Sequence, residues 1–556
     1  MKFYYKDFIP KSFTCFQEGY SRKYFINDLV AGISVGIISL PLALAFAIAS
    51  GVSPEKGLFT AIIAGFIISF LGGSRVQIGG PTGAFVIIVY EVMQKFGYDG
   101  LAVATLIASI MIILMGLARF GAFLKFIPYP VTTGFTSGIA VVIFTSQIKD
   151  FFGLDIENLP PQFLEKCKVY CQLAHTFNIG AFLVAFMTVV LIFILRRIYP
   201  KMPGAIFAIV FATIITYSLD IPIETIENKF GEIPRTLPMP SFPNISYSLV
   251  QDVFPYAITI ALIGGLESLL SAVIADGVTG HKHRSNGELL AQGIANIGSV
   301  IFGGIPATGA IARTSANIRL GAKTPLAGMI HAITILLLMI FFAPLVGKIP
   351  LAALSGVLIF IAWNMSELPH FIEILRGQKG DAIVLLTTFF LTIFIDLAVA
   401  IQIGVLLAAV VFLKHMTDNT TVKVCKIIER ENKDKETNFH DSELLFKDIP
   451  SDIAIFEING PFFYSVADQL DDVLTHMVIK PRVFILDISK TPLIDATGLN
   501  AIKQFGIKCK KVGIIFCISG VDNSKRELLK KSSLMKVIDE DHVFFSIQEG
   551  LNNSTL

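Results

Sequence analysis

The sequence predicts a polytopic α-helical membrane protein that ends in a small cytoplasmic α/β domain. The 556 residues are 53% hydrophobic and only 16% charged, whereas soluble proteins average about 25% charged residues. Apolar segments follow one another as far as about residue 416, and short apolar strands alternate with helical stretches after residue 450. The predicted parts are a cytoplasmic N-terminal segment (1–27), a transmembrane domain (28–416), a linker with a first strand (417–450) and the α/β domain (451–556).

The apolar part is long enough for about fourteen spans, at about 20 residues for a full span and fewer for half-helices. The predicted spans are 28–49, 55–72, 82–96, 100–119, 128–148, 178–196, 203–219, 250–276, 286–302, 309–320, 324–346, 350–365, 381–397 and 400–416.

Basic residues predict the orientation of these spans. With the N-terminus in the cytoplasm, the inner loops hold most of the basic side chains, including Arg75, Arg196, Arg197 and Arg319. No cleavable secretory signal is found at the N-terminus. We therefore expect an inner (plasma) membrane protein with both termini in the cytoplasm.

Two matching stretches interrupt the apolar sequence. They are Gly79–Ala84 and Gly303–Ala310, and without Ile305 and Ala307 the second repeats the first, Gly-Gly-Pro-Thr-Gly-Ala. Glycine and proline break a helix, so a new helix can begin after each proline and expose free N–H groups and a positive dipole end. Either stretch alone could be an ordinary kink or a close-packing site. Their repetition predicts an anion-binding site of a transporter.

The spacing of the two stretches predicts their relative direction. They open the third and the tenth predicted spans, which are seven spans apart, and an odd offset reverses direction across the membrane. The two helices would therefore enter from opposite faces and meet near the middle of the membrane. This arrangement predicts an inverted repeat of seven plus seven spans.

A carboxylate lies between the two stretches in the sequence. Glu267 is the acidic residue nearest the middle of a predicted span, where a charge is costly and by default indicates a functional site. Ser271 lies one turn further along the same helix face. Arg313, four residues after Gly309, could attract an anion, form a structural ion pair with Glu267, or do both in turn.

Phe46 is an aromatic residue in the first span, where small residues and Pro41 permit close helix approach. It could form a cavity wall or simply pack in the core. We expect no metal, no cofactor and no enzymatic activity, because the sequence has neither a Cys-x-x-Cys spacing nor a nucleophile–base constellation.

The most specific segments resemble one family. The stretches Gly73–Phe85 and Ala310–Arg319, together with the span of Glu267, are similar to those of the sulfate permease (SulP) family of anion transporters. The segments Leu486–Ile488 and Ile494–Leu499 resemble those of a STAS domain. The resemblance covers essentially the whole chain. It implies fourteen spans in two inverted repeats, a core and a gate domain, and an elevator-like movement of the core.

The resemblance also implies the site residues. An anion would bind between the third and tenth spans, with Phe46 as a wall, Arg313 nearby, and backbone groups at Thr82, Gly83, Ala84, Ala310, Ile311 and Ala312. Glu267 matches the family's acidic position, with Ser271 beside it as a second cation-coupling residue. Some relatives have Asp there, associated with sodium coupling, and Glu favours a proton.

The chain departs from the family pattern at two positions. Leu42 stands where many relatives have glutamine, so one polar substrate contact is in doubt. Ala496 stands where signalling STAS relatives have a phosphorylated serine, so a phosphorylation switch is not expected there.

We therefore predict secondary active transport of a small inorganic oxyanion, sulfate first or bicarbonate, by symport with a proton or sodium ion. The expected partners are membrane lipid, a second copy of the chain in a homodimer, and a cytoplasmic protein at the STAS domain, with no nucleic acid. Two alternatives stay open: a dicarboxylate–proton symporter and a membrane-tethered STAS signalling or sensor protein.

Overall fold

The computed structural model describes residues 7–122, 128–156, 159–160, 162–198, 204–395, 397–418, 421–426, 452–462 and 480–553. The chain divides into two compact units, residues 1–408 and 409–556. Most of the predicted linker, and residues 463–479 of the predicted α/β domain, lie outside the described residues.

The membrane part is mainly helical, with two short strands, β1 (Gly79–Gly80) and β2 (Thr308–Gly309). Its helices, numbered in chain order, are α1 (Lys11–Gln17), α2 (Arg22–Ala49), α3 (Pro54–Leu71), α4 (Val86–Leu117), α5 (Tyr129–Ser146), α6 (Ile148–Phe152), α7 (Phe163–Gln172), α8 (Ile179–Ile198), α9 (Gly204–Ser218), α10 (Ile226–Phe230), α11 (Tyr247–Thr279), α12 (Ser285–Ile301), α13 (Ile311–Arg319), α14 (Leu326–Gly347), α15 (Leu351–Met365), α16 (Leu368–Arg376), α17 (Lys379–Phe394) and α18 (Leu397–Asp418).

A helix occupies each of the fourteen predicted segments. Helix α4 covers two of them. Gly97 adopts a non-helical conformation with φ of 65° and kinks the helix between the two segments. Among the described residues, nine helical segments are long and apolar enough to cross a membrane. The count of fourteen crossings, which includes shorter helices such as α12 and α13, stays a prediction. The short helices α1, α6, α7, α10 and α16 were not predicted, because a window of about 20 apolar residues does not detect them.

The helices of this unit pack as two bundles. Helices α2, α3, α4, α11, α12, α13 and α14 form the first bundle, in which α2 packs on α14 and α4 packs on α11 and α12. Helices α5, α6, α8, α9, α15 and α17 form the second bundle. Contacts between the bundles are sparser and run mainly from α15 and α9 to α2 and from α5 to α4.

The C-terminal unit has a four-stranded sheet in which neighbouring strands follow the order of the chain. Its elements are β3 (Thr421–Lys426), β4 (Ile453–Asn459), β5 (Val483–Asp487), β6 (Ile515–Ser519), α19 (Ala496–Lys511), α20 (Asn523–Lys531) and α21 (Ile547–Asn553). Strands β4, β5 and β6 are parallel, and β3 pairs antiparallel with β4. Phe456 and Phe505 both lie 4.8 Å from the Phe484 ring, between ring centroids, in the buried core. Apolar strands of this kind are typical of a sheet covered by helices.

Close packing in the first bundle depends on glycine. A Cβ atom at Gly57 of α3 would overlap the carbonyl oxygen of Ala43 in α2 and would lie 2.9 Å from the Cβ of Ala47. Small residues let membrane helices approach until their backbones touch. The α2–α3 contact is therefore specified by this glycine.

We expect Gly57→Ala to destabilise the protein by about 1–3 kcal/mol, because the helices must separate to accept a methyl group. Gly277→Ala is the matched control, since a Cβ at helical Gly277 meets nothing within 4 Å. Thermal unfolding of the purified proteins in detergent measures the difference. Equal midpoints for the two variants would contradict the assigned role of Gly57.

Candidate functional site

The two matching stretches pair with each other directly. Gly79–Gly80 forms strand β1, and it pairs antiparallel with Thr308–Gly309, strand β2. Gly79 lies opposite Gly309, Gly80 lies opposite Thr308, and the Ala310 amide donates to the Ile78 carbonyl at 2.8 Å. Each stretch therefore satisfies backbone groups that the other leaves open.

A helix begins just beyond each strand. A 3₁₀ turn at Gly83–Phe85 leads into α4, and α13 begins at Ile311 after Ala310. The residues preceding the two helical starts, Thr82 and Ala310, have extended backbone and make no capping hydrogen bond with a side chain. Because the strands are antiparallel, the helices leave them in opposite directions with their amino ends facing each other. The positive ends of both dipoles thus lie on either side of the strand pair.

The two helix starts differ in exposure. Thr82, Gly83 and Ala84 are buried, and a Cβ at Gly83 would lie 3.1 Å both from Ile143 of α5 and from Met365 of α15. On the other side Ala310 is buried, Ile311 is partly buried and Ala312 is exposed. The second bundle therefore covers the start of α4, while the start of α13 is accessible.

Phe46 lies in the core of the protein. Its side chain is 5% exposed and belongs to the same buried cluster as Val86 of α4 and Leu358 of α15. It packs where the first bundle meets the second, a position suited either to a cavity wall or to ordinary packing.

Glu267 is attached to the first stretch. The Thr82 hydroxyl donates to Glu267 Oε2 at 2.8 Å, and the Glu267 side chain is partly buried. The carboxylate in the middle of α11 therefore contacts the residue at which the first helical segment starts.

Arg313 also contacts the first stretch. The side chain is 2% exposed and its Nη2 donates to the Pro81 carbonyl. A Cβ at Gly80 would lie 2.6 Å from Nη1, and Gly80 has φ of +148°, so glycine is needed both for space and for conformation. Among the described residues, Nη1 has no hydrogen-bond partner and no ion pair within 4.0 Å joins Arg313 to Glu267. In this conformation the Arg313 guanidinium therefore contacts the backbone of the first stretch and forms no ion pair with Glu267.

The Ser271 hydroxyl contacts α13 and not the Glu267 side chain. This hydroxyl donates to Thr314 Oγ1 at 3.1 Å, and the same oxygen accepts the Ile78 amide at 3.0 Å. This connection fixes α13 to the backbone just before Gly79. A role for Ser271 in cation coupling stays a prediction.

Sequence reasoning missed a row of polar side chains on α12. Glu288, Gln292, Asn296 and Ser299 follow one another at helical spacing, and all four are buried. Their spacing of four, four and three residues on an otherwise apolar helix is the pattern that could have revealed them.

Glu288, at the start of this row, holds the backbone before the first stretch. Its Oε2 accepts the amides of Gly73 at 2.8 Å and Ser74 at 3.1 Å, and its Oε1 accepts the Ser268 hydroxyl at 3.2 Å. Ser268 in turn accepts from Gln77 Nε2 at 3.0 Å. Glu288 thus connects the approach to β1 with the residue that follows Glu267.

The rest of the row holds the second stretch. Asn296 donates to the Ala307 carbonyl at 2.9 Å and accepts the Ala307 amide at 2.7 Å, and Gln292 donates to the same carbonyl. Ser299 donates to the Ile305 carbonyl at 2.7 Å. One face of α12 therefore positions both stretches.

Within the described residues, no group of three or more His, Cys, Asp or Glu side chains is arranged to hold a metal ion. Cys167 and Cys171 are both free.

The long apolar helices define a multi-pass membrane protein. Residues 25–388 match the Sulfate permease family and residues 447–550 match the STAS domain. The chain belongs to the sulfate permease family and has a C-terminal STAS domain.

Known proteins are similar to this chain over most of its length. The putative sulfate transporter YvdB of Bacillus subtilis (strain 168) is 40% identical over 530 residues, which cover 95% of this chain and 97% of that protein. The structure of the transmembrane domain of a cyanobacterium bicarbonate transporter, BicA, superposes with a TM-score of 0.62 at 28% identity, covering 70% of this chain and 98% of that chain. The murine Solute Carrier 26 family member A9 anion transporter, in its inward-facing state, shares the fold with a TM-score of 0.86 at 18% identity, covering 100% and 95%.

We expect Glu288→Gln to lower the free energy of unfolding by about 3 kcal/mol, because an amide supplies one acceptor oxygen where the carboxylate supplies two, so its NH₂ group would face either the Ser268 hydroxyl or the backbone donors. Thermal unfolding in detergent tests this, with Glu373→Gln, whose side chain is 80% exposed, as the control. A midpoint for Glu288→Gln equal to that of the control would show that the carboxylate is not needed.

Proposed function

We propose that the protein is a secondary active transporter of a small inorganic oxyanion, with sulfate as the first candidate and bicarbonate as the second. The observation that carries the proposal is the pairing of β1 with β2, which sets two uncapped helix starts and the buried Arg313 around one place in the membrane part. The printed descriptions of the relatives, a putative sulfate transporter and a bicarbonate transporter, support the choice of substrates.

The proposed anion site uses backbone groups first. The amides at Thr82, Gly83 and Ala84 would contact the anion from one side, and those at Ala310, Ile311 and Ala312 from the other. Helix starts bind oxyanions because their free N–H groups and dipoles both favour negative charge. Arg313 adds a full positive charge close by, and the unpartnered Nη1 has a donor to offer. Phe46 would exclude water on the side of α2.

Glu267 is the proposed coupling residue. Its contact with Thr82 places a carboxylate at the edge of the proposed anion site. An ionised carboxylate opposes a second negative charge there, so the anion and a neutralising cation bind cooperatively. The neutralising cation would be a proton on Glu267 or a sodium ion beside it. Ser271 would be a further oxygen ligand of the cation once its hydroxyl leaves Thr314. Of the two, we favour the proton.

The two bundles suggest how the site is carried across. The first bundle holds the paired stretches, Glu267 and Arg313, and its contacts with the second bundle are sparse. We propose that the first bundle moves as an elevator-like core against the second bundle as the gate. The side chains of Ile143 and Met365, which cover Gly83 here, would separate from it as the core moves.

We further propose an inner (plasma) membrane location with cytoplasmic termini, and a homodimer. The loops assigned to the inner side include Arg75 and Arg319, in agreement with the positive-inside pattern. The STAS domain would meet a cytoplasmic protein partner.

Two other functions remain as alternatives. A site made of backbone amides recognises charge and size, so a dicarboxylate could replace sulfate. A sensor with a STAS output is less favoured, because Ala496, the first residue of α19, has no hydroxyl group to phosphorylate.

Uptake by proteoliposomes of the purified protein tests the proposal. Labelled sulfate and bicarbonate are supplied separately, with an inward proton gradient, an inward sodium gradient or neither. Accumulation of one anion under one gradient identifies substrate and coupling ion together. Uptake of succinate or fumarate alone would favour the dicarboxylate carrier, and no uptake of any of these would favour the sensor.

We expect Glu267→Gln to abolish gradient-driven accumulation while leaving exchange of anion at equal concentrations partly intact, because the amide keeps an acceptor for Thr82 but takes up no proton. Glu373→Gln on exposed α16 is the control and should accumulate anion normally. Fully coupled uptake by Glu267→Gln would refute the assignment of the coupling residue.

A further inference from the structure

Lys166 is a buried lysine in α7, outside the predicted spans. Lys166 is only 5% exposed, whereas Lys168 on the same short helix is exposed. Within the described residues, Lys166 has neither a hydrogen-bond acceptor nor an acidic partner. Buried lysines are normally paired with an anion, so this ammonium lacks the counter-charge it would be expected to have.

The group that Lys166 does contact is an aromatic ring. Its Nζ lies 5.4 Å from the centroid of Tyr90 in α4, and the Tyr90 hydroxyl donates to the Leu159 carbonyl at 2.6 Å. A cation–π contact compensates only part of the lost hydration. Burial lowers the pKa of Lys166 to about 8, which reflects the cost of keeping the ammonium there without an anion.

Lys166 lies where the two bundles meet. Helix α7 is attached to the second bundle, since the Tyr170 hydroxyl donates to the Thr145 carbonyl of α5 at 2.9 Å and the Phe163 and Phe394 rings lie 5.5 Å apart. Tyr90 belongs to the first bundle. It lies seven residues after Gly83, or about 10 Å along the helix from the proposed anion site.

Lys166 lies between the fifth and sixth predicted spans, a loop that faces outward when the N-terminus is cytoplasmic. We propose that Lys166, together with the Tyr90 ring, forms a second binding site for the small inorganic oxyanion, at this outer end of the contact between the bundles. The proposal rests on the transport function proposed above. When the first bundle moves against the second, Tyr90 and α7 separate and the ammonium becomes accessible. An anion arriving there supplies the missing counter-charge and is held about two helical turns from Gly83.

Side-specific transport kinetics of Lys166→Gln test this site. Right-side-out and inverted membrane vesicles carrying the full-length protein are supplied with labelled sulfate. We expect Lys166→Gln to raise the KM for sulfate about tenfold from the outer side, since a charge-assisted contact is lost, and to leave the KM from the inner side and the maximal rate unchanged. Lys166→Arg should keep the wild-type KM. Lys168→Gln removes the same charge from the same helix without contacting Tyr90 and should change neither.

A second measurement does not depend on transport rates. A small reagent that modifies lysine amines is applied to wild-type vesicles, and the modified lysines are identified by mass spectrometry. Sulfate should protect Lys166 in a saturable way and leave Lys168 unprotected. This measurement also covers the case in which Lys166→Gln fails to fold.

The proposal is overturned if sulfate gives no protection and Lys166→Gln has the same outer KM as Lys168→Gln. A lower stability of Lys166→Gln with an unchanged KM would overturn it as well, because Lys166 would then only hold α7 in place. Failure of the transport proposal looks different, since the wild type would accumulate neither sulfate nor bicarbonate. In that case protection of Lys166 by either anion still decides whether the second site exists.

Discussion

Backbone that leaves a helix inside hydrocarbon must find new hydrogen bonds, and the pairing of β1 with β2 provides them here. Each stretch alone would expose N–H and C=O groups at a cost of several kcal/mol per group. Together, Gly79–Gly80 and Thr308–Gly309 satisfy one another across a two-residue ladder. Because each stretch pairs the backbone of the other, the pair fixes where both helices begin.

Side chains complete what the short ladder cannot reach. Asn296 and Gln292 bind the backbone of Ala307, and Glu288 binds the amides of Gly73 and Ser74. Polar groups in a membrane helix are expensive unless they face the protein interior and are paired, and this face of α12 meets both conditions. Helix α12, which is only moderately apolar in sequence, therefore positions the backbone of the candidate site.

The broad architecture was predictable because it depends on patterns that repeat along the chain. Hydropathy located a helix at every predicted segment, and the repeated Gly-Gly-Pro-Thr-Gly-Ala located the two interruptions. The pairing of these interruptions as strands was not predicted. The partners of individual side chains were not predictable. Ser271 shares a helix face with Glu267, yet its hydroxyl binds Thr314, because the register of β1 against β2 brings α13 next to it. Helix α7 was missed because its apolar residues are too few for a span, and its buried lysine became evident only once α4 and α5 were packed together.

The two charged residues of the candidate site bind the first stretch at adjacent positions. Arg313 donates to the Pro81 carbonyl, and Glu267 accepts from Thr82, the next residue. With Glu267 ionised, the charges of these two residues sum to zero, so an entering divalent anion adds negative charge that nothing there compensates. In a medium of low dielectric constant that charge is costly unless a cation enters with the anion. The proposed coupling therefore follows from the charge balance of these two side chains: a cation that neutralises Glu267 leaves the positive charge of Arg313 uncompensated, and the anion then balances it.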